Sequence, residues 1–281
     1  MELRKNGYSY NEILKEVKVH KRDILRMGRN TKFSKVGKQR YFKEVKGVIK
    51  PIKRQSKKLS KSKTRIIGNL LFDGSVCIVR KYSYVISYVN ASKRLVQDLS
   101  KDLENVYGIS PFNYDEEGKT LTYYRLICKS KRLYEDLLRY TPSYSTSNPY
   151  SKIPDEVMSS SKRIKLEFLR TFWNNEGSIS KEGVLRGYSN SVKVIEQLKK
   201  LHQELGFKTK IYLDKSKDKV CYILRLSKSL ENTQKFYDNK LFTKSIVTKG
   251  DFKGRYKINV VKIWIVKLKN HKISNLNYER P

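Results

Sequence analysis

The chain has 281 residues, which is enough for one large or two ordinary domains with a hydrophobic core. Its 62 Lys and Arg residues against 27 Asp and Glu residues give a formal net charge of +35, and its 20 Tyr and 10 Phe argue against disorder. So positive a chain repels itself unless it binds a polyanion, which predicts a nucleic-acid-binding protein, and no apolar span or amphipathic basic helix indicates a membrane partner.

The cysteines and histidines are scattered singly along the chain, as Cys77, Cys128, Cys221, His20, His202 and His271. They form no CxxC pair and no ligand cluster, so we expect neither a zinc site nor a disulfide framework. The N-terminus lacks the apolar segment of a signal peptide. These features predict an intracellular protein, in the cytoplasm or nucleoid of a prokaryote or, as an alternative, in an organelle.

Residues 1–33 predict a small helical DNA-binding unit. Ser9 can cap a helix that carries Glu12 three residues later, a capping-box pattern. Lys21 to Arg29 then predicts a basic second helix, the arrangement with which a helix-turn-helix enters the major groove. The segment resembles the helix-turn-helix of resolvase-type and other small prokaryotic DNA-binding domains. A plain helical appendage is the alternative. Residues 34–61, with many lysines against the single acid Glu44, predict a basic linker.

From residue 62 the pattern becomes regular and then recurs. Residues 62–142 and residues 161–242 each predict the order αββαββα, with a linker at 143–160 between them. Short echoes at matching positions, such as Cys128-Lys129-Ser130 and Ser227-Lys228-Ser229, indicate a duplication. The expected fold class is therefore α+β, with two pseudo-twofold-related repeats and a small all-α N-terminal unit.

Each repeat begins with the same kind of motif. Ile66 to Val76 reads IIGNLLFDGSV and Leu169 to Ile179 reads LRTFWNNEGSI. In both, an apolar helix leads into one acid, then Gly, Ser and a β-branched residue. A helix that is apolar nearly all round must be covered on more than one side, so we expect the two motif helices to pack together. The small residues Gly68 and Thr171 would lie at this helix interface.

The acids of the two motifs are Asp73 and Glu176. Packing of the two helices would place these carboxylates side by side at helix C-termini, where the helix dipoles add to the negative charge. Hard cations such as Mg²⁺ take oxygen ligands of this kind. A metal site beside a polyanion-binding surface implies phosphodiester hydrolysis.

The two motifs resemble the signature motifs of single-chain LAGLIDADG homing endonucleases, and SKIPDEVM at 151–158 is also similar to that family's sequences. The resemblance covers about residues 62–242. It implies two halves whose sheets form a saddle over double-stranded DNA, and a monomeric, site-specific endonuclease that cuts one phosphodiester per strand with Mg²⁺ or Mn²⁺. The metal-site residues that it implies are Asp73, Glu176, Gly74 and Gly177.

Other candidate site residues lie on the strands. Lys129 and Lys228, matched at the ends of the fourth strands, are candidate catalytic residues for charge stabilisation, and Lys181 is a weaker candidate. For each of them an ordinary phosphate contact or a surface lysine is the alternative. Nucleic-acid-binding residues are expected on the sheet faces. The strand residues of suitable chemistry are Arg80, Tyr82, Arg125, Arg186, Tyr188, Lys208, Lys210, Tyr212 and Arg225.

Residues 243–281 form a basic C-terminal tail, in which the alternation from Arg255 to Lys267 predicts a strand. Two other functions are compatible with the sequence. One is an RNA-binding intron maturase with intron RNA as its partner, and the other is a non-cleaving DNA-binding regulator on the same fold. The presence of both acids favours the endonuclease.

Overall fold

The structure is a computed structural model that describes residues 2–6, 8–17, 22, 23, 32, 34, 58–80, 83–117, 122–214 and 220–278. An N-terminal unit contains helices α1 (Glu2–Lys5) and α2 (Tyr10–Glu16). The Ser9 hydroxyl accepts a hydrogen bond from Glu12 N at 3.2 Å, and Ser9 N donates to Glu12 Oε2 at 2.6 Å, which is the capping box that the sequence indicates. The predicted second helix at Lys21 to Arg29 and the linker at 34–61 lie mostly outside the described residues, so the helix-turn-helix stays a prediction.

Two αββαββα repeats follow, and the predicted fold class is confirmed. The first consists of α3 (Lys61–Asp73), β1 (Gly74–Val79), β2 (Ser83–Asn90), α4 (Lys93–Tyr107), β3 (Phe112–Glu117), β4 (Thr122–Lys129) and α5 (Lys131–Leu138). After the short helix α6 (Asp155–Met158), the second consists of α7 (Lys162–Glu176), β5 (Gly177–Ile179), β6 (Leu185–Ser189), α8 (Val192–Glu204), β7 (Thr209–Asp214), β8 (Cys221–Leu226) and α9 (Leu230–Asp238). The antiparallel sheets have equivalent strand orders, β1-β2-β4-β3 and β5-β6-β8-β7.

Serine caps explain where several helices begin. The hydroxyls of Ser130 and Ser229 accept hydrogen bonds from the third residue of α5 and of α9, at 3.2 and 3.1 Å. Such bonds satisfy backbone donors that have no partner within the helix. These two serines belong to the short echoes between the repeats, so the duplicated sequence preserves helix starts.

The core of the repeat region is the pair of motif helices, α3 and α7, which pack against each other. The Phe72 ring lies 5.6 Å from that of Phe168 and 5.2 Å from that of Phe172. A Cβ built at Gly68 would stand 2.9 Å from Thr171 Cβ and would overlap the Thr171 hydroxyl. The structure therefore brings together the two small residues that the sequence assigned to the helix interface, and the backbones approach closely there.

The C-terminal tail contains a helix, α10 (Lys257–Tyr278), and the predicted strand is wrong. Val260, Val261 and Ile265 are buried, and Trp264 lies on the same side. This i, i+1, i+4, i+5 spacing belongs to one face of a helix, whereas the strand was predicted from an apparent alternation along the whole stretch from Arg255 to Lys267. α10 packs against α9 and β5 of the second repeat. Among the described residues, this and every other helix is too short or too polar to cross a membrane.

Candidate metal centre and nucleic-acid interface

The two motif acids end the two packed helices. Asp73 is the last residue of α3 and Glu176 is the last residue of α7, and the chain passes directly into β1 and β5 at Gly74 and Gly177. Both carboxylates interact electrostatically with one ammonium group, that of Lys257. The two acids therefore lie in one region, each at the same offset beyond the contact between Gly68 and Thr171.

Asp73 lines a cavity of about 490 Å³ and is held in a defined orientation. Burial raises the pKa of its carboxyl from 3.8 to about 6, while a hydrogen bond from Asn90 and the charge of Lys257 act in the opposite direction. Asn90 Nδ2 donates to Asp73 Oδ2 at 3.0 Å. At neutral pH the group is thus a partly desolvated carboxylate, which favours binding of a cation.

A polar network connects this acid to the second repeat. Asn175, which precedes Glu176, accepts hydrogen bonds through its Oδ1 from Asn90 Nδ2 at 3.2 Å and from the buried Tyr88 hydroxyl at 2.7 Å. Its own Nδ2 donates to Asn69 Oδ1 at 2.9 Å across the helix pair. Neither Asn90 nor Asn175 was among the site residues predicted from the sequence. The available signal was an amide residue immediately before the second acid, where the first motif has the apolar Phe72.

The structure adds a lysine that the sequence analysis did not find. Lys257, the first residue of α10, donates from Nζ to the carbonyl oxygen of Gly177 at 2.7 Å. Burial lowers the pKa of its ammonium to about 8, although the charges of Asp73 and Glu176 raise it. A tail interpreted as a strand gave no reason to place this residue at the motif acids.

The oxygen-rich donor set suits a hard divalent cation. It comprises the Asp73 and Glu176 carboxylates and, next to them, the Gly177 carbonyl that Lys257 contacts. Within the described ranges, no group of three or more His, Cys, Asp or Glu side chains is arranged to hold a metal. One or two carboxylates completed by phosphate and water form a common Mg²⁺ site, so the residues present fit a metal shared with a phosphate ligand. Gly74 as a ligand stays a prediction.

Lys129 is the last residue of β4 and Lys228 follows β8, and neither lines the cavity that Asp73 lines, so their catalytic role stays a prediction. Lys129 lies opposite Val85 in β2, and Gly74 lies opposite Tyr88 of the same strand. Val85 and Tyr88 are three residues apart, which is roughly 10 Å along β2. Lys228 Nζ lies 4.9 Å from the centre of the Trp264 ring, and Lys181 is in the turn between β5 and β6. In the part of the chain that the structure describes, the lysines lining the cavity are Lys249 and Lys257.

One face of the second sheet gathers five of the predicted nucleic-acid-binding residues. Arg225 lies opposite Arg186 on one side and opposite Lys210 on the other. Residues directly opposite each other share a face, and like charges there repel. The neighbouring cross-strand row on that face carries Tyr188 and Tyr212, with the Arg225 guanidinium 6.0 Å from the Tyr212 ring. Such a row of cations beside aromatic rings suits an anionic ligand with flat bases.

The other predicted contacts are more dispersed. Arg125 lies in β4 of the first sheet, opposite Val89. Arg80 occupies the turn after β1 with a φ of 50°, and Lys208 precedes β7. Tyr82 lies outside the described residues. The nucleic-acid contacts of all these residues stay predictions.

Two acid-ended helices that each open an αββαββα repeat define this class of fold, and a family comparison agrees. Residues 163–240 match the family model of the LAGLIDADG-like domain. The second repeat thus matches the LAGLIDADG-like domain model, and the family resemblance predicted from the motifs is confirmed there. A search of curated proteins found no match.

Solved structures with a similar fold include two homing endonucleases. The homing endonuclease I-DmoI in complex with DNA and Mn is 17% identical, with a TM-score of 0.49 over 65% of this chain and 97% of that chain. The homing endonuclease I-WcaI bound to its DNA recognition sequence is 16% identical, with a TM-score of 0.49 over 79% of this chain and 92% of that chain. Full-length DUF199/WhiA from Thermatoga maritima is 12% identical, with a TM-score of 0.46 over 78% and 66%.

Proposed function

We propose that the protein is a site-specific, homing-type DNA endonuclease that acts as a monomer and hydrolyses one phosphodiester per strand. The observation that carries this proposal is the convergence of Asp73 and Glu176 at the ends of two packed helices, beside a cationic sheet face. The net charge of +35 attracts a polyanion to the chain as a whole. The two carboxylates provide a local negative site at which a divalent cation can bind beside that polyanion.

In this proposal the two acids bind the metal, and the neighbouring asparagines position the acids. Asp73 and Glu176 would hold Mg²⁺ or Mn²⁺, which when bound supplies an activated water and stabilises the leaving oxygen. Asn90 holds the Asp73 carboxylate through a 3.0 Å hydrogen bond, and Asn175 connects Asn90 to the second motif helix. Positioning of this kind matters because hydrolysis requires the phosphate and its attacking water in a narrow range of geometries.

The second sheet supplies the DNA-binding surface closest to Glu176. Ser178, two residues after this acid, lies opposite Arg186, which continues the row to Arg225 and Lys210. Arginine reads guanine in the major groove and also contacts phosphates, so this row connects base recognition to the cleavage site.

The test is cleavage selection from a plasmid library with a randomised insert in Mg²⁺ or Mn²⁺. We expect the wild type to cut both strands at a defined site. Asp73→Asn and Glu176→Gln should abolish cleavage while binding of the selected site persists. Glu204→Gln is the matched control, because Glu204 pairs with Lys165 on the outer side of the second repeat, and it should cut normally.

If a parallel binding selection from the same library yields a defined site that is cut on neither strand in Mg²⁺ or in Mn²⁺, the endonuclease is refuted and a DNA-binding regulator is favoured. No site selection, together with tight binding of a structured intron RNA, would favour a maturase, since a basic surface also binds RNA. Light scattering of the DNA-free protein tests the monomer.

A further inference from the structure

The C-terminal helix places a cation at the acids that the two motifs define. Lys257 Nζ lies 2.7 Å from the carbonyl oxygen of Gly177, the residue that directly follows Glu176. The same ammonium interacts with both Asp73 and Glu176. Its hydrogen-bond partner thus directly follows one proposed metal ligand, and its charge lies within electrostatic reach of both motif acids.

We propose that Lys257 is a resident cation of the DNA-free protein, which holds the place of the divalent metal and has to move before the metal binds. This inference rests on the proposed metal-dependent function. Two carboxylates in a partly buried region repel each other, and one ammonium offsets part of that repulsion. The same ammonium repels an incoming divalent ion at close range, so the two cations compete for one set of oxygens.

Lys257 can move because α10 is anchored without its side chain. Val260, Val261 and Ile265 are buried, and Lys257 N donates to Ser245 O at 3.0 Å. Trp264 packs on the turn between β5 and β6 so closely that a Cβ at Gly183 would overlap its ring. The helix therefore stays in place while the flexible lysine stem swings its ammonium to another partner.

A DNA phosphate provides that partner. The cavity that Lys257 lines also contains Ser178, which lies opposite Arg186 at the start of the cationic row. A phosphate at this position would attract the ammonium away from Gly177 and would also complete the metal's oxygen ligands. DNA binding and metal loading are then thermodynamically coupled, and each raises the affinity for the other.

The test measures Mn²⁺ binding to the DNA-free protein by electron paramagnetic resonance and by calorimetry. Lys257→Met should bind Mn²⁺ roughly tenfold more tightly than the wild type, because a nearby repulsive charge is removed. Lys257→Gln repeats the measurement with a polar side chain, and Lys257→Arg, which keeps the charge, should resemble the wild type. Lys262→Met is the matched control, since Lys262 is exposed on the same helix. Circular dichroism establishes that each variant is folded.

The outcomes separate this inference from the proposed function. Suppose that Lys257→Met and Lys257→Gln bind Mn²⁺ no more tightly than the wild type, and that the wild type binds Mn²⁺ and cuts DNA. The proposal about Lys257 is then overturned, while the proposed function stands. If both Asp73→Asn and Glu176→Gln still bind Mn²⁺ as the wild type does, the metal lies elsewhere, and both the resident-cation proposal and the proposed metal-dependent function are overturned. Tighter binding in the two neutral variants, abolished again by adding Asp73→Asn, supports the proposal.

Discussion

Asp73→Asn should stabilise the metal-free protein at neutral pH while it removes a proposed metal ligand. The Asp73 carboxyl has its pKa raised from 3.8 to about 6, mainly because burial penalises the charged form. An asparagine at this position has the same size and still offers Oδ1 to the Asn90 amide. The substitution therefore removes the charge and keeps the hydrogen bond that orients the group.

The magnitude follows from the two pKa values. One unit of pKa difference corresponds to about 1.4 kcal/mol, so the ionised Asp73 destabilises the folded state by up to about 3 kcal/mol. Because the folded pKa is the higher one, this cost is absent below pH 3.8, grows as the pH rises to about 6, and is complete above that value. Part of the gain in the variant is lost, since Lys257 then lacks one of its two counter-charges.

Urea unfolding at pH 7.5 and at pH 4 in EDTA measures the difference. We expect Asp73→Asn to exceed the wild type by up to about 3 kcal/mol at pH 7.5, and the two to converge towards pH 4. Asp98→Asn is the control, because Asp98 pairs with Lys244 away from the motif acids and should show no such gain. Mn²⁺ should then stabilise the wild type and not Asp73→Asn. A variant that is less stable than the wild type at pH 7.5 would refute the reasoning.

Three other substitutions test parts of the fold and interface. His202 is fully buried and its pKa is lowered from 6.5 to about 4, so its contribution to the free energy of unfolding is complete above pH 6.5 and is lost as the pH falls towards 4. His202→Phe should remove up to about 3 kcal/mol of this loss, measured by urea unfolding at pH 7.5 and 4.5. An unchanged pH dependence would contradict this prediction. Gly68→Ala should lower the thermal midpoint by an amount equivalent to about 1–3 kcal/mol despite better helix propensity, because the methyl group meets Thr171; a higher midpoint would show that the helices separate easily. Arg186→Ala should weaken DNA binding and reduce the slope of log affinity against log salt by about one contact, whereas an unchanged slope would place the DNA elsewhere.

Local patterns predicted most of the architecture. Apolar periodicity and turn residues placed the helices and strands of both repeats, and the repeated motif itself predicted that α3 and α7 pack together. The contact between Gly68 and Thr171 was also predictable, because a helix apolar on several sides needs close neighbours. Such features depend on short stretches of sequence, or on a repetition that the sequence displays directly.

The parts that the sequence did not predict depend on tertiary packing. α10 was interpreted as a strand because the apolar residues gave an apparent alternation, at Ile258, Val260, Val261, Ile263 and Ile265. Its true period emerges only when Val261 and Ile265 are seen to be buried together against the second repeat. The contact of Lys257 with Gly177 then joins residues 80 positions apart, and no local pattern encodes it.

The two halves of the proposed metal centre are related without being equivalent. The strand residue opposite Gly74 is Tyr88, whose hydroxyl reaches Asn175, whereas the residue opposite Gly177 is Gly187. A side chain at Gly187 would overlap the Phe172 ring. In the second repeat a helix residue, Phe172, therefore fills the space that the strand residue Tyr88 fills in the first repeat. Each acid therefore has neighbours of different chemistry, and Lys257 adds its charge from one side only. Under the proposed endonuclease function, two such unequal halves suit an asymmetric DNA site, because each half would contact its own bases and its own phosphate.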